Sequence, residues 1–117
     1  MSLTLIKLTN VIEEFRKLDS EMQAQTMLAF IYIARMDMGG SPASVKDVGE
    51  HLGLTSASAS RNIAVLSKWS RHNKPGHDLV EAIENPEFRS QKLIRLTPKG
   101  KRVIKTLEDF NASKKER

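Results

Sequence analysis

Leu52-Gly53-Leu54-Thr55-Ser56-Ala57-Ser58-Ala59-Ser60-Arg61 joins two short amphipathic segments through a glycine and opens the second with a run of tiny side chains. Upstream, Ser44 precedes Val45-Lys46-Asp47, a helix cap followed by an acidic third residue. Val45, Val48 and Leu52 then mark one face of a short helix, and Gly53 ends it. Leu54 points inward, and Thr55 caps a second helix that is expected to run to about Trp69. Ala59, Ile63, Leu66 and Trp69 supply its apolar stripe at helical spacing.

Two helices meeting at a glycine-containing turn have the shape of a helix-turn-helix. A helix that enters the major groove by its N-terminus must approach the bases closely, so its first turns need small, hydrogen-bonding side chains. Serine hydroxyls can donate or accept at base edges and phosphates, and the positive end of the helix dipole favours a phosphate nearby. Arg61 adds a charged fork suited to phosphate or guanine. The alternative is a helical hairpin whose serines only cap it. Serine is a mediocre helix former, and Ser56, Ser58 and Ser60 crowd one turn and a half, which tilts the balance toward function.

Toward the N-terminus, Leu5, Leu8, Ile12 and Phe15 recur at spacings of three and four and predict an amphipathic helix over about residues 4–18. Ser20 with Gln23 forms a capping-box pattern that opens a second, strongly apolar helix ending at Gly39-Gly40. Its methionines, Met22, Met27, Met36 and Met38, read as core filler. Toward the C-terminus, a polar, turn-rich loop follows Trp69. Leu79, Val80, Ala82 and Ile83 suggest a strand, and Leu93, Ile94 and Leu96 its return, with Asn85-Pro86-Glu87-Phe88-Arg89-Ser90 at the tip. Thr97 and Pro98 start a last helix over about 98–112 with Val103, Ile104, Leu107 and Phe110 on its buried face. The expected architecture is mainly α with a small β-hairpin wing. It forms a single domain over residues 1–117, with the helix-turn-helix and wing at about 44–97.

The chain has 117 residues, no cysteine and a net charge of +5. Disulfides, thiolate zinc sites and cysteine nucleophiles are thereby excluded. The longest apolar run, near Met27 to Ala34, is far short of a membrane span, and the N-terminus does not read as a signal peptide, so a cytoplasmic protein is expected. The charge is unevenly placed. Residues 1–60 hold five Lys/Arg against seven Asp/Glu, a net of −2, whereas residues 61–105 hold eleven against four, a net of +7. Such a segment is either a solvated basic surface or a face for a polyanion.

Val45 to Leu66 resembles the winged helix-turn-helix of the MarR family of transcription regulators, and Leu54 to Arg61 is similar to that family's turn and recognition-helix start. Asn85-Pro86-Glu87-Phe88-Arg89, followed by Ile94-Arg95-Leu96-Thr97-Pro98-Lys99-Gly100, resembles its wing tip and the Leu-Thr-x-x-Gly that closes the wing. The likeness spans about residues 20–107. It implies a homodimer that sets two recognition helices in successive major grooves of double-stranded DNA, with wings in the flanking minor grooves. It implies base-edge or phosphate roles for Ser56, Ala57, Ser58 and Ser60, with Thr55 at the helix start, and contact from Arg61. It makes Arg89 the wing-tip arginine of the minor groove and places Lys92 and Arg95 along the wing. Lys68, Arg71, Lys74 and Lys92 would join Arg61 in holding phosphates. Dimerisation would rest on Leu5, Leu8, Ile12 and Phe15 of the first helix and Val103, Leu107 and Phe110 of the last; the same residues could instead cover one another within one chain. The family also admits a small-molecule effector, for which the residues identify no pocket.

Other chemistries find little footing. His51, His72 and His77 have no ligand-like spacing, and Glu13-Glu14 and Glu81/Glu84 sit on surface faces, so neither a metal site nor a catalytic pair is expected. No cofactor-binding pattern is present, and no base accompanies Ser58 or Ser60 as a nucleophile would require. The expected function is sequence-specific binding to double-stranded DNA by a transcription regulator that acts sterically at a near-palindromic operator, as a repressor that obstructs polymerase or by redirecting it. The competing classes are a winged-helix protein-interaction module and a DNA-binding accessory factor of replication or recombination with little sequence preference.

Overall fold

The computed structural model describes residues 2–69 and 74–112. In chain order the elements are α1 (Leu3–Leu18), α2 (Ala24–Met38), β1 (Ala43–Ser44), α3 (Val45–Leu52), α4 (Ser56–Leu66), β2 (Val80–Glu84), β3 (Lys92–Leu96) and α5 (Pro98–Ala112). The strands form one antiparallel sheet in the order β1-β3-β2. Among the described residues no helix is long and apolar enough to cross a membrane.

Helix α2 starts later than the Ser20 capping pattern predicts. Asp19 takes the backbone there: its carboxylate accepts the Glu21 N–H at 2.9 Å and its carbonyl accepts the Met22 N–H at 3.0 Å. That local turn delays the helix to Ala24, with Gln23 as a cap that makes no side-chain bond. The other end closes as the glycine pair predicts. Gly40 is left-handed at φ 87°, its N–H bonds the Asp37 carbonyl, and the Ser41 N–H reaches back to Met36.

Strand β1 is a further departure. Two residues show no alternation, so nothing in the pattern announces a strand, yet Ala43 pairs with Ile94 and Ser44 with Leu93. Where β1 ends, the Asp37 carboxylate substitutes for it and accepts the Leu96 N–H at 2.9 Å. Ser44 also caps α3 in a complete capping box with Asp47: each backbone N–H meets the other's side chain, at 3.1 and 3.0 Å. Gly53, left-handed at φ 70°, turns the chain into α4.

The core lies where α1, α2, α3, α4 and the sheet converge. Phe15, Phe30, Ile33, Val48, Leu66, Leu79, Val80 and Ile94 are its largest fully buried side chains. Phe15 meets Phe30 edge to face, with ring centroids 5.9 Å apart. Of the methionines, Met22 is buried and Met27 and Met36 pack against the core, but Met38 is exposed at the end of α2 and fills nothing.

Helix α4 stops at Leu66, short of Trp69, because the following loop folds back onto its C-terminus. The carbonyls of Val65, Leu66, Ser67 and Lys68 accept the N–H groups of His77, Leu79, Asp78 and Gly76 at 2.7–3.1 Å. A β-carbon on Gly76 would run into the Ser67 carbonyl, so only glycine allows this approach. Trp69, expected in the core, is instead 60% exposed. Thr97 closes the wing: its hydroxyl donates to the Asp78 carbonyl at 2.6 Å and accepts the Gly100 N–H at 3.0 Å, capping α5.

Candidate nucleic-acid interface

Helix α4 divides cleanly. Ala59, Asn62, Ile63 and Leu66 face inward. Ser56, Ala57, Ser60, Arg61 and Lys68 are exposed, and the pairs 56/60 and 57/61 lie one turn apart on the outer face. No acidic residue occurs between Ser56 and Leu66. The Thr55 hydroxyl is committed to its cap, accepting the Ser58 N–H at 3.1 Å, and leaves the first-turn amides of Ser56 and Ala57 at the outer end. Ser58, grouped from sequence with the outward serines, is half-buried. Its hydroxyl accepts the Gln25 side-chain N–H at 3.2 Å and ties α4 to α2.

Asn62 escaped the sequence reading, which scored only the apolar positions of the stripe. It is buried, accepts the Thr26 hydroxyl on Oδ1 at 2.6 Å and donates from Nδ2 to the Ser58 carbonyl at 2.8 Å. An apolar interface would let α4 rotate against α2; this satisfied polar pair sets one rotation, and with it which side chains face outward.

The hairpin of β2 and β3 forms the wing. Glu81 lies opposite Arg95 and Glu84 opposite Lys92. Arg95 donates to Glu81 at 2.7 Å, so this arginine braces the wing. At the tip the Asn85 side chain accepts the Glu87 N–H at 3.0 Å, and the Gln91 N–H bonds the Phe88 carbonyl at 2.9 Å. Arg89 and Lys92 are exposed. Among the described residues, the ion pairs involve none of Arg61, Lys68, Arg89 or Lys92. Lys74 is exposed beyond the turn, and Arg71 and His72 lie outside the described residues.

The remaining histidines have local partners. The His51 ring stacks on Tyr32 with centroids 4.1 Å apart, and His77 Nε2 lies 3.6 Å from the Asp19 carboxylate. Among the described residues no group of three side chains could hold a metal ion.

The terminal helices pack on one another, and Lys7 donates to the Asn111 side chain at 3.0 Å. Leu5, Leu8 and Ile12 are nevertheless about half exposed, and Leu107 and Phe110 are partly so. Phe15 and Val103, named from sequence as candidates for a partner's surface, are buried in the chain's own core, Phe15 against Phe30.

No protein-family model matches the chain, and no curated protein matches it in sequence. Solved structures do match. MepR of S. aureus, in complex with DNA, superposes with a TM-score of 0.72 at 12% identity, over 96% of this chain and 82% of MepR. FabT of Streptococcus pneumoniae, also in complex with DNA, gives 0.65 at 16% identity, over 97% and 73%. PcaV of Streptomyces coelicolor, in complex with its natural ligand, gives 0.57 at 19% identity, over 80% and 57%. The architecture is therefore a winged helix-turn-helix, with five helices and a three-stranded sheet whose hairpin is the wing. Within that class the fold is MarR-like, since these neighbours are MarR-family regulators.

Proposed function

We propose that this protein is a transcription regulator that binds double-stranded DNA sequence-specifically as a homodimer, reading an inverted repeat with α4 and the wing. The observation that carries the reading is the outer face of α4: small side chains at a capped N-terminus, Arg61 one turn on and no carboxylate along the helix, followed by a hairpin that exposes Arg89 and Lys92. Ser56, Ala57 and Ser60 reach base edges or phosphates, and Arg61 a phosphate or guanine. Arg89 enters the minor groove. Lys68, Lys74 and Lys92 hold phosphates, with Arg71 assigned to the same role from sequence alone. Occupation of the operator obstructs polymerase, without catalysis or cofactor. The exposed stripe of Leu5, Leu8 and Ile12 supports the dimer, because an apolar helix face left in water favours a second copy.

The test is selection from a random duplex pool, with affinity measured by fluorescence anisotropy at several salt concentrations. Arg61, Lys68, Lys74 and Lys92 from two protomers neutralise about eight phosphates, which predicts a log–log salt slope of about −7. An enriched inverted repeat with that slope is the expected result. Salt-sensitive binding without enrichment would make the protein an accessory factor. No binding at low salt would leave a protein-interaction module.

A further inference from the structure

The wing tip carries a side chain that phosphate and groove-edge contacts leave unused. Phe88 is 61% exposed. Burying a phenylalanine ring is favourable, and the fold leaves most of this ring in water. The backbone that carries the ring is fixed on both sides. The Asn85 side chain fixes the Glu87 backbone, and the Gln91 N–H closes a turn on the Phe88 carbonyl. Phe88 and Arg89 are thus the first two residues of one turn at the apex, about 3.8 Å apart along the backbone. An arginine in the minor groove at this position carries the phenyl ring in beside it. The groove is only about 6 Å wide and its floor is polar, so an apolar ring pressed against the base edges gains little unless it enters the stack.

We infer that Phe88 is a wedge that slides between two base pairs of the minor groove and kinks the duplex at the wing, with Arg89 anchoring it. The inference rests on the DNA-binding reading above. Insertion of an apolar side chain partly unstacks one base step and bends the DNA by about 20–90° toward the major groove. Pyrimidine–purine steps open most easily, so the wedge also gives the protein a preference for TA or CA at a position where no hydrogen bond reads the base.

The experiment uses the full chain and a duplex recovered from the bound fraction of the random pool. 2-Aminopurine is placed in turn at the flanking TA and CA steps, and a donor–acceptor pair at the two ends reports bending. Wild type should raise 2-aminopurine fluorescence at one step per wing and shorten the end-to-end distance. Phe88→Ala should bind with the same salt slope but lose both signals, and Phe88→Leu, still an apolar wedge, should retain them. Tight wild-type binding to straight, fully stacked DNA, or a kink that survives Phe88→Ala, would overturn the wedge and leave the DNA-binding reading intact. Failure of wild type to bind any duplex would overturn both, and would turn the exposed ring toward a protein partner.

Discussion

Replacing Asn62 by leucine should destabilise the fold by about 2–4 kcal/mol, although leucine has the same branched side-chain skeleton and is more apolar. Asn62 makes two bonds in the interface between α2 and α4: one to the Thr26 hydroxyl at 2.6 Å and one to the Ser58 carbonyl at 2.8 Å. A net hydrogen bond contributes about 1 kcal/mol, and a buried polar group stripped of its partner costs about 1–3 kcal/mol more. The Ser58 carbonyl keeps its place in the α4 ladder, so the larger loss falls on the Thr26 hydroxyl, which lies at 5% exposure. With a slope of about 2 kcal/mol per molar urea, the middle of the range for a small domain, the unfolding midpoint should fall by about 1–2 M. The decisive comparison is the double variant Thr26→Val with Asn62→Leu. When both partners become apolar no orphan remains, and the pair should regain most of what the single change lost. Urea unfolding followed by circular dichroism measures all four proteins of the cycle. An Asn62→Leu midpoint indistinguishable from wild type, or a double variant as unstable as the sum of its singles, would refute the assignment of Asn62 as the residue that locks α4 onto α2.

Three further outcomes follow from the same contacts. Arg89→Ala should weaken specific binding by about 1–3 kcal/mol in a competition gel shift while leaving thermal stability unchanged, since Arg89 is exposed at the wing tip. Gly100→Ala should cost about 3 kcal/mol or more, because the added carbon meets the Leu79 backbone carbonyl and that segment is pinned by the Leu66 and Thr97 bonds; a calorimetric melting temperature near wild type would contradict this. Leu8→Glu puts a charge in the exposed stripe of α1 and should shift the protein toward monomer in sedimentation equilibrium, with little change in the circular dichroism spectrum.

The elements legible in the sequence were those announced by a local rule. Ser44 with Asp47, Gly53, Thr55 and Thr97-Pro98 each state a helix boundary by short-range chemistry, and each lies where the structure puts it. Apart from the start of α2, which the local turn at Asp19 delays, the misses share a different cause: a distant partner decided the outcome. Trp69 continues the stripe of α4, but the segment from Gly76 to Leu79 caps the helix first and turns the tryptophan out. Strand β1 exists only because β3 offers it an edge. Phe15 keeps period with Leu5, Leu8 and Ile12, yet one more turn brings it under Phe30 and into the core. For the candidate site, exposure of Ser56, Ala57, Ser60 and Arg61 followed from helical spacing alone. The inward turn of Ser58 did not, because it depends on Gln25, a residue 33 positions away in sequence.

The same long-range bonds also explain how a small domain can hold the outer face of α4 and the wing at a fixed separation. The end of α4 is sewn to the segment before β2 by the bonds from Gly76, His77, Asp78 and Leu79. That segment is sewn in turn to the start of α5 by the Thr97 hydroxyl and the Thr97 N–H. The far end of β3 is held to α2 by Asp37. Helix α4 and the base of the wing are therefore tied into one body, and where strand pairing ends at Glu84 and Lys92 the turn bonds of Asn85 and Phe88 shape the tip. A rigid base fixes the distance between the α4 face and the wing, and under the proposed DNA-binding function that distance would set the spacing between major-groove and minor-groove contacts within one half-site. In the proposed homodimer the spacing between half-sites would be set by the contact that covers Leu5, Leu8 and Ile12. Substitutions in the stitched segment should thus change stability and both groove contacts together, whereas substitutions on α1 should change the preferred half-site spacing and leave the half-site sequence as it is.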